Sequence, residues 1–426
     1  MGLPELVAAV MTAASGHLAE WQIAAAYAVF AASYVVFALG KLPGMKIDRP
    51  GGAIIGAVLM VAFGVVTARE ALRFVDFGTL VLLFSMMLIV SSLHLAGFFT
   101  WITALAAERL KPGMLLPATI FTSGVLSAIL VNDVVCLVMA PLVLRLCRRM
   151  GRRPALYLLA LATSSNIGSV ATITGNPQNI LIGSLSRIGY NQFLARLGPV
   201  AVIGLFLDWA ILGWFLRRAG AEVAPDVSSA AIEHPRFRWL FVPMSVTALV
   251  LVGFLAGYPP ALVASAGGAI LLMRRSVDPR KIYDNIDWAL LMFFVGLFLI
   301  LGGAEQAGIT ERLLGIAGRF DLHRPAIFTL IVSGLSNVVS NVPAVILLKN
   351  VVARFADPKT AWLMLAMAST LAGNLTITGS VANIIVIEQA RAEAPIGFLD
   401  YLKIGVPVTA ATLAVGLAWL IYFPVF

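Results

Sequence analysis

One nine-residue sequence occurs twice in this chain, and both copies interrupt long apolar runs. Thr172-Ile173-Thr174-Gly175-Asn176-Pro177-Gln178-Asn179-Ile180 aligns with Thr376-Ile377-Thr378-Gly379-Ser380-Val381-Ala382-Asn383-Ile384, with six of nine positions identical. The matched residues are mainly Thr, Gly and Asn, which apolar bias does not supply. Exposed backbone polar groups are not tolerated in hydrocarbon, so a Gly-Asn-Pro break inside an apolar span must be buried in protein or line a cavity. Other markers repeat in the same order. Asp76 precedes one long apolar segment and Asp287 another, and Leu126-Ser127 with Asn132 matches Leu335-Ser336 with Asn341.

Composition places these breaks in a membrane. The chain has 426 residues, 60% hydrophobic and 12% charged, about half the charge of a soluble domain. Apolar segments near 21–39, 51–67, 78–97, 155–182, 196–216, 239–256, 259–274, 288–304, 360–388 and 404–424 predict ten crossings. Two further stretches, 113–147 and 325–350, carry polar centres at Val131-Asn132-Asp133 and Ser340-Asn341-Val342. Each half of such a stretch is too short to cross a core of about 30 Å, so each predicts a re-entrant hairpin. Met1–Ala14 lacks a basic n-region and does not read as a secretory signal.

The expected fold is therefore all-α and integral to the membrane. Two inverted repeats of five spans each carry two re-entrant hairpins and two broken helices. The first repeat is expected over 1–216, a cytoplasmic linker over 217–238 and the second repeat over 239–426. An odd number of crossings per repeat forces the inversion, the secondary-transporter pattern. With the N-terminus outside, loops on the inner side hold 20 of the 30 Lys and Arg, including the run from Arg145 to Arg153. This bias predicts both termini outside, Arg149 and Arg236 inside, and Arg187 and Phe426 outside. It also explains the net charge of +9 by topology, so no nucleic-acid partner is expected.

The chemistry is expected where the breaks and hairpin tips meet. Candidate substrate ligands are Asn132, Ser165, Asn166, Thr174, Gly175, Asn176, Asn179, Ser340, Asn341, Asn374, Thr378, Gly379 and Asn383. Asn and Thr offer both donors and acceptors, and unwound backbone adds freed N–H and C=O groups. Such a site suits a small hydroxylated neutral solute, or a cation on the carbonyl ends. Asp133 is the candidate proton carrier, because a carboxylate at that depth costs about 3 kcal/mol on insertion scales. Asp208 stands next as a second relay or a structural partner. No Lys or Arg is expected at the depth of Asp133, which argues against dianions. His94 reads as a packing residue. Cys136 and Cys147 read as core residues with neither a disulfide framework nor zinc spacing. No cofactor and no metal is assigned.

At these motifs the chain resembles the ion transporter superfamily that includes arsenite efflux permeases of the ArsB type, sodium/proton antiporters of the NhaD type and divalent-anion/sodium symporters. The resemblance covers essentially the whole chain. The Asn132-Asp133 tip is similar to the arsenite permease branch, whereas dicarboxylate members carry Ser-Asn-Thr at both tips. The break from Gly373 to Gly379 is also similar to the antiporter branch. The arsenite branch implies export of arsenite or antimonite in exchange for protons across the cell (inner) membrane, in some members with a soluble arsenite-stimulated ATPase partner. A sodium/proton antiporter or an anion symporter is the alternative. An intramembrane enzyme is disfavoured, because no His-Glu-x-x-His or Gly-x-Ser-x-Gly motif occurs.

Overall fold

The computed structural model describes residues 18–40, 47–219, 237–273, 278–317 and 321–423. Their regular structure is helical. The first half of the chain runs α1 (Glu20–Leu39), α2 (Arg49–Ala62), α3 (Ala68–Phe74), α4 (Phe77–Leu95), α5 (Phe98–Arg109), α6 (Leu115–Ile129), α7 (Asn132–Arg149), α8 (Pro154–Ser169), α9 (Pro177–Ser186) and α10 (Tyr190–Ala219). The second runs α11 (Phe237–Leu255), α12 (Pro260–Leu272), α13 (Pro279–Tyr283), α14 (Trp288–Gln306), α15 (Ile309–Ala317), α16 (Pro325–Val339), α17 (Asn341–Val352), α18 (Pro358–Leu371), α19 (Val381–Ala390) and α20 (Phe398–Tyr422). Six spans in this set are long and apolar enough to cross a membrane unaided, and one of them, Pro112–Ile129, is a hairpin half that the sequence reading expected to be too short. The expected linker is only partly described: Arg217 and Arg218 continue α10, while 220–236 and Phe426 lie outside the described residues.

Both polar-centred stretches are helical hairpins, α6–α7 and α16–α17. Both broken spans are helix pairs, α8–α9 and α18–α19, with the short 3-10 turns Ile173–Gly175 and Ile377–Gly379 between them. Proline starts α8, α9, α16 and α18 at a position where its missing N–H costs nothing. Two well-buried spans, one in each half, match in detail. Both α4 and α14 have 19 residues, and each is capped by an aspartate. Asp76 accepts from the backbone N–H of Thr79 at 3.1 Å and Asp287 from that of Leu290 at 2.9 Å. Sequence reading did not anticipate the short α3, α5, α13 and α15, whose seven, 12, five and nine residues fall below a membrane span.

The halves are interleaved. α2 packs on α14 and α12 on α4, so the second span of each half lies against the third span of the other. Gly296 permits the first contact: a Cβ there would stand 2.5 Å from the carbonyl oxygen of Ala53. Gly268 lies against Leu88 in the second. Each hairpin also packs along the broken helix of its own half, α6 on α8 and α16 on α18. At the first of these contacts a Cβ on Gly168 would lie 2.0 Å from the carbonyl oxygen of Gly124. Small residues allow such approach between membrane helices, where packing and hydrogen bonds drive association. Ser123 and Ser164 (2.5 Å) and Ser127 and Ser165 (2.8 Å) then tie the two helices through their hydroxyls.

Candidate functional site

Breaking a helix frees backbone carbonyls, and each half closes them with the same asparagine. Asn179 donates its amide to the carbonyls of Ser169 (3.0 Å) and Thr172 (3.1 Å). Asn383 donates to those of Gly373 (2.7 Å) and Thr376 (3.0 Å). These four acceptors occupy equivalent positions in the repeated motif. Asn176 caps α9 by accepting from the N–H of Asn179 at 2.8 Å. Gly175 turns tightly over Ser169: a Cβ there would lie 2.2 Å from that residue's carbonyl oxygen. Asn179 and Asn383, expected as substrate ligands, thus spend their amide groups shaping the breaks.

Asn166 joins the halves. Its Nδ2 donates to Oδ1 of Asn374 (2.8 Å) and of Asn383 (3.0 Å). Its Oδ1 accepts from Nδ2 of Asn132 (3.0 Å) and from the hydroxyl of Ser380 (2.9 Å). The orientation of the whole set is fixed from the backbone outward. Asn383 must present its amide to two carbonyls, so its Oδ1 faces Asn166. Asn166 must then turn its Oδ1 toward Asn132. Asn132 is left with Oδ1 buried and without a partner among the described residues, and so is Oδ1 of Asn341.

A cavity of about 220 Å³ lies beside this network. Asn132, Asp133, Pro177, Gln178, Ser340, Asn341, Val342, Ser380 and Val381 line it, so the N-terminal ends of α7, α9, α17 and α19 all reach it. Each helix N-terminus has unpaired N–H groups and a partial positive charge. Ser340 is held at φ 75°, ψ 159°, a region used almost only by glycine and costing about 1–3 kcal/mol. The remaining wall includes Arg49, Asp287, Leu290 and Phe293.

Of the expected site residues, Asn132, Ser340, Asn341 and Asp133 line this cavity. Ser165, Asn166, Asn176, Asn179, Asn374 and Asn383 form the buried polar layer that supports it. Thr174 is within 3.4 Å of the Tyr190 hydroxyl, Thr378 is exposed beside Thr376, and Gly379 packs on Asn337 and Gly373. Asp208 lies apart, fully buried, with Oδ2 accepting from the Thr163 hydroxyl at 3.0 Å. Cys136 is buried in the core and lines neither this cavity nor the one described below.

Two expectations are corrected. Asp133 is not without a cationic neighbour, because Arg49 lines the same cavity, brought there by the start of α2. His94 is exposed at the end of α4 rather than packed in the core. Sequence reasoning also missed Gln178, Ser380 and Asp287 as cavity residues, although the alignment of Asp287 with Asp76 had marked its position.

Hairpin tips and half-helix ends meeting in one cavity of a multi-pass helical protein define a secondary transporter. A family model described as CitMHS, citrate transporter, matches residues 34–372. The chain belongs to this family, within the ion transporter superfamily to which its motifs pointed. It is similar to the silicon efflux transporter LSI3 of Oryza sativa subsp. japonica, at 29% identity over 91% of this chain and 95% of the relative. A 46 kDa membrane protein of Mycobacterium leprae is 30% identical over 93% and 98% of the two chains. The putative transporter arsB of Dictyostelium discoideum is 25% identical over 87% of each. In fold it matches the YdaH transporter of Alcanivorax borkumensis, with a TM-score of 0.55 and 14% identity over 95% of this chain and 98% of that one.

Proposed function

We propose that the chain exports a small, neutral, polyhydroxylated solute, of which arsenite and antimonite are the leading candidates, in exchange for protons. The observation that carries this reading is chemical. The unmet buried atom that the network orients at the cavity, Oδ1 of Asn132, is an acceptor, so the group it awaits is a donor. A metalloid hydroxide presents hydroxyl donors, whereas a fully ionised carboxylate presents acceptors alone. Relatives named for silicon efflux and as arsB are in keeping with such a solute. Asp133 is the proton carrier in this reading: its deprotonated form offers the solute acceptors alone, and reprotonation turns one of its oxygens into a donor. The inner-membrane setting, with the Arg145–Arg153 cluster on the cytoplasmic side and both termini outside, belongs to the same proposal.

A second reading has its own observation. Four helix N-termini and Arg49 surround the cavity, a set that attracts anions, and the family model is described as a citrate transporter. Everted membrane vesicles energised with a proton gradient decide between them when supplied with arsenite, antimonite, silicic acid, citrate or sodium in parallel. Accumulation of arsenite, antimonite or silicic acid supports the neutral solute, and accumulation of citrate alone overturns it. Sodium uptake without any of these would identify a cation/proton antiporter.

A further inference from the structure

Asp133 faces two cavities. The second, of about 390 Å³, shares only Asp133 and Asp287 with the first. One wall is a single stripe of α7: Asp133, Leu137, Pro141 and Arg145, four residues apart on one helical face. Twelve residues of helix carry this stripe roughly 18 Å from the hairpin tip to the basic end of α7. Exposure rises along it, from a half-buried Asp133 to an exposed Leu137, Pro141 and Arg145. The opposite wall presents Ser91 and His94 of α4, Asn285 and Gln389. Gln389 donates to the carbonyl of Leu137 at 2.9 Å, and its Oε1 is buried with no partner. A cavity with several polar groups of this kind can hold water.

The second half carries an ion pair on the corresponding helices. Aligning the equal helices α4 and α14 puts His94 opposite Glu305, and aligning α7 with α17 at their first asparagines puts Ala140 opposite Lys349. Glu305 and Lys349 form an ion pair at 2.6 Å. His94, which lines the second cavity, and the buried Ala140 cannot form one.

We infer that this second cavity is a dedicated proton route to Asp133, distinct from the cavity that holds the solute. The inference rests on the reading of Asp133 as proton carrier. Charged or titratable groups lining the two cavities with Asp133 are Asp287 before α14, shared by both, His94 on α4 and Arg145 on α7 in the route, and Arg49 on α2 on the solute side. Protons and solute would then reach the carboxyl from different walls, so a bound solute need not obstruct proton entry.

Infrared spectroscopy of the purified protein in lipid tests this without knowledge of the solute. The C=O band of protonated Asp133 is identified by its loss in Asp133→Asn, and its hydrogen–deuterium exchange is timed after a switch to heavy water. Leu137→Trp, which fills the route, should slow that exchange on the order of tenfold, and Leu137→Phe by less. Leu290→Trp, which fills the solute cavity, should leave it unchanged. Thermal melts close to that of the parent confirm that the plugged proteins are folded. Slowing by Leu290→Trp alone, or equal slowing by both plugs, overturns the separate route. If no band is lost in Asp133→Asn between about pH 4 and pH 8, the carrier reading fails and the route with it.

Discussion

Asn132 and Asn166 share a hydrogen bond of 3.0 Å that joins a hairpin tip to a broken helix. Through Asn166 the tip is coupled to Asn374, Asn383 and Ser380 of the other half. Every member is buried, so a change at one break is felt at the other without passing through the solute.

Asn166→Leu should therefore be among the most damaging single substitutions. It strands the amide of Asn132, the Oδ1 atoms of Asn374 and Asn383 and the hydroxyl of Ser380, at about 1–3 kcal/mol for each buried group left unpaired. A melting temperature lowered by several degrees, with transport abolished, is the expected result in a fluorescence melt and a vesicle assay. A variant that melts with the parent would show that the network does not hold the halves together.

Gly168→Ala tests the closest helix approach. The added methyl meets the backbone of Gly124, which has no flexible end to move aside, so the hairpin must separate from α8. Destabilisation of about 3 kcal/mol or more is expected. Gly113→Ala, with nothing within 4 Å, is the control and should be silent.

Substitutions at Arg49 and Asp133 separate the two solute readings. Arg49→Gln removes the formal positive charge from the cavity wall. For a neutral solute the apparent affinity should change less than about threefold, and for an anion it should fall by tenfold or more, near 1.4 kcal/mol. Asp133→Asn preserves size and hydrogen bonding but cannot cycle a proton. Uphill export should be lost while gradient-free exchange survives. Accumulation by Asp133→Asn equal to the parent's would move the carrier role elsewhere, with Asp208 next in line.

The Glu305–Lys349 pair, partly exposed at 36% and 25%, should contribute a modest 0.2–1 kcal/mol, about that of other accessible pairs. Glu305→Gln should increase labelling of a cysteine placed at Val345, under the pair on α17. The swapped double variant Glu305→Lys with Lys349→Glu should restore protection. Equal labelling in all three would show that the pair closes nothing.

Asp357 precedes α18 in an exposed loop and caps its first turn. Partial burial alone would raise its pKa. Hydrogen bonds from the Thr360 hydroxyl and the N–H groups of Thr360 and Lys359 outweigh this and hold it below the ordinary 3.8. Its contribution is therefore complete above the unfolded value and lost as pH falls through the lower folded one. Asp357→Asn should flatten the stability curve in acid, below about pH 4, and leave it parallel to the parent's near neutrality. An unchanged acid limb in chemical denaturation would discount the cap.

Much of this arrangement was legible in the sequence. The duplicated Thr-Ile-Thr-Gly motif located both breaks, and the polar centres at Asn132-Asp133 and Ser340-Asn341 located both hairpin tips. Those signals are local, set by Gly and Pro chemistry and by polar residues inside apolar runs. What escaped depends on pairing between distant segments. Arg49 looked like one more basic loop residue, since only the packing of α2 on α14 carries it to the cavity wall. Asn179 and Asn383 looked like ligands, because their composition suited a solute as well as it suits a carbonyl. The short α3 and α15 were missed because neither is long enough to register as a span.

The interleaving of α2 with α14 has a consequence for how the protein is made. The partner of α2 emerges from the ribosome more than 200 residues after it, a delay of roughly 10–50 s at ordinary synthesis rates. Until then the face that carries Ala53 and Gly56 meets lipid or a chaperone instead of its mate. A ribosome stalled after α10 would thus leave an unfinished product, and maturation has to await translation of the later half.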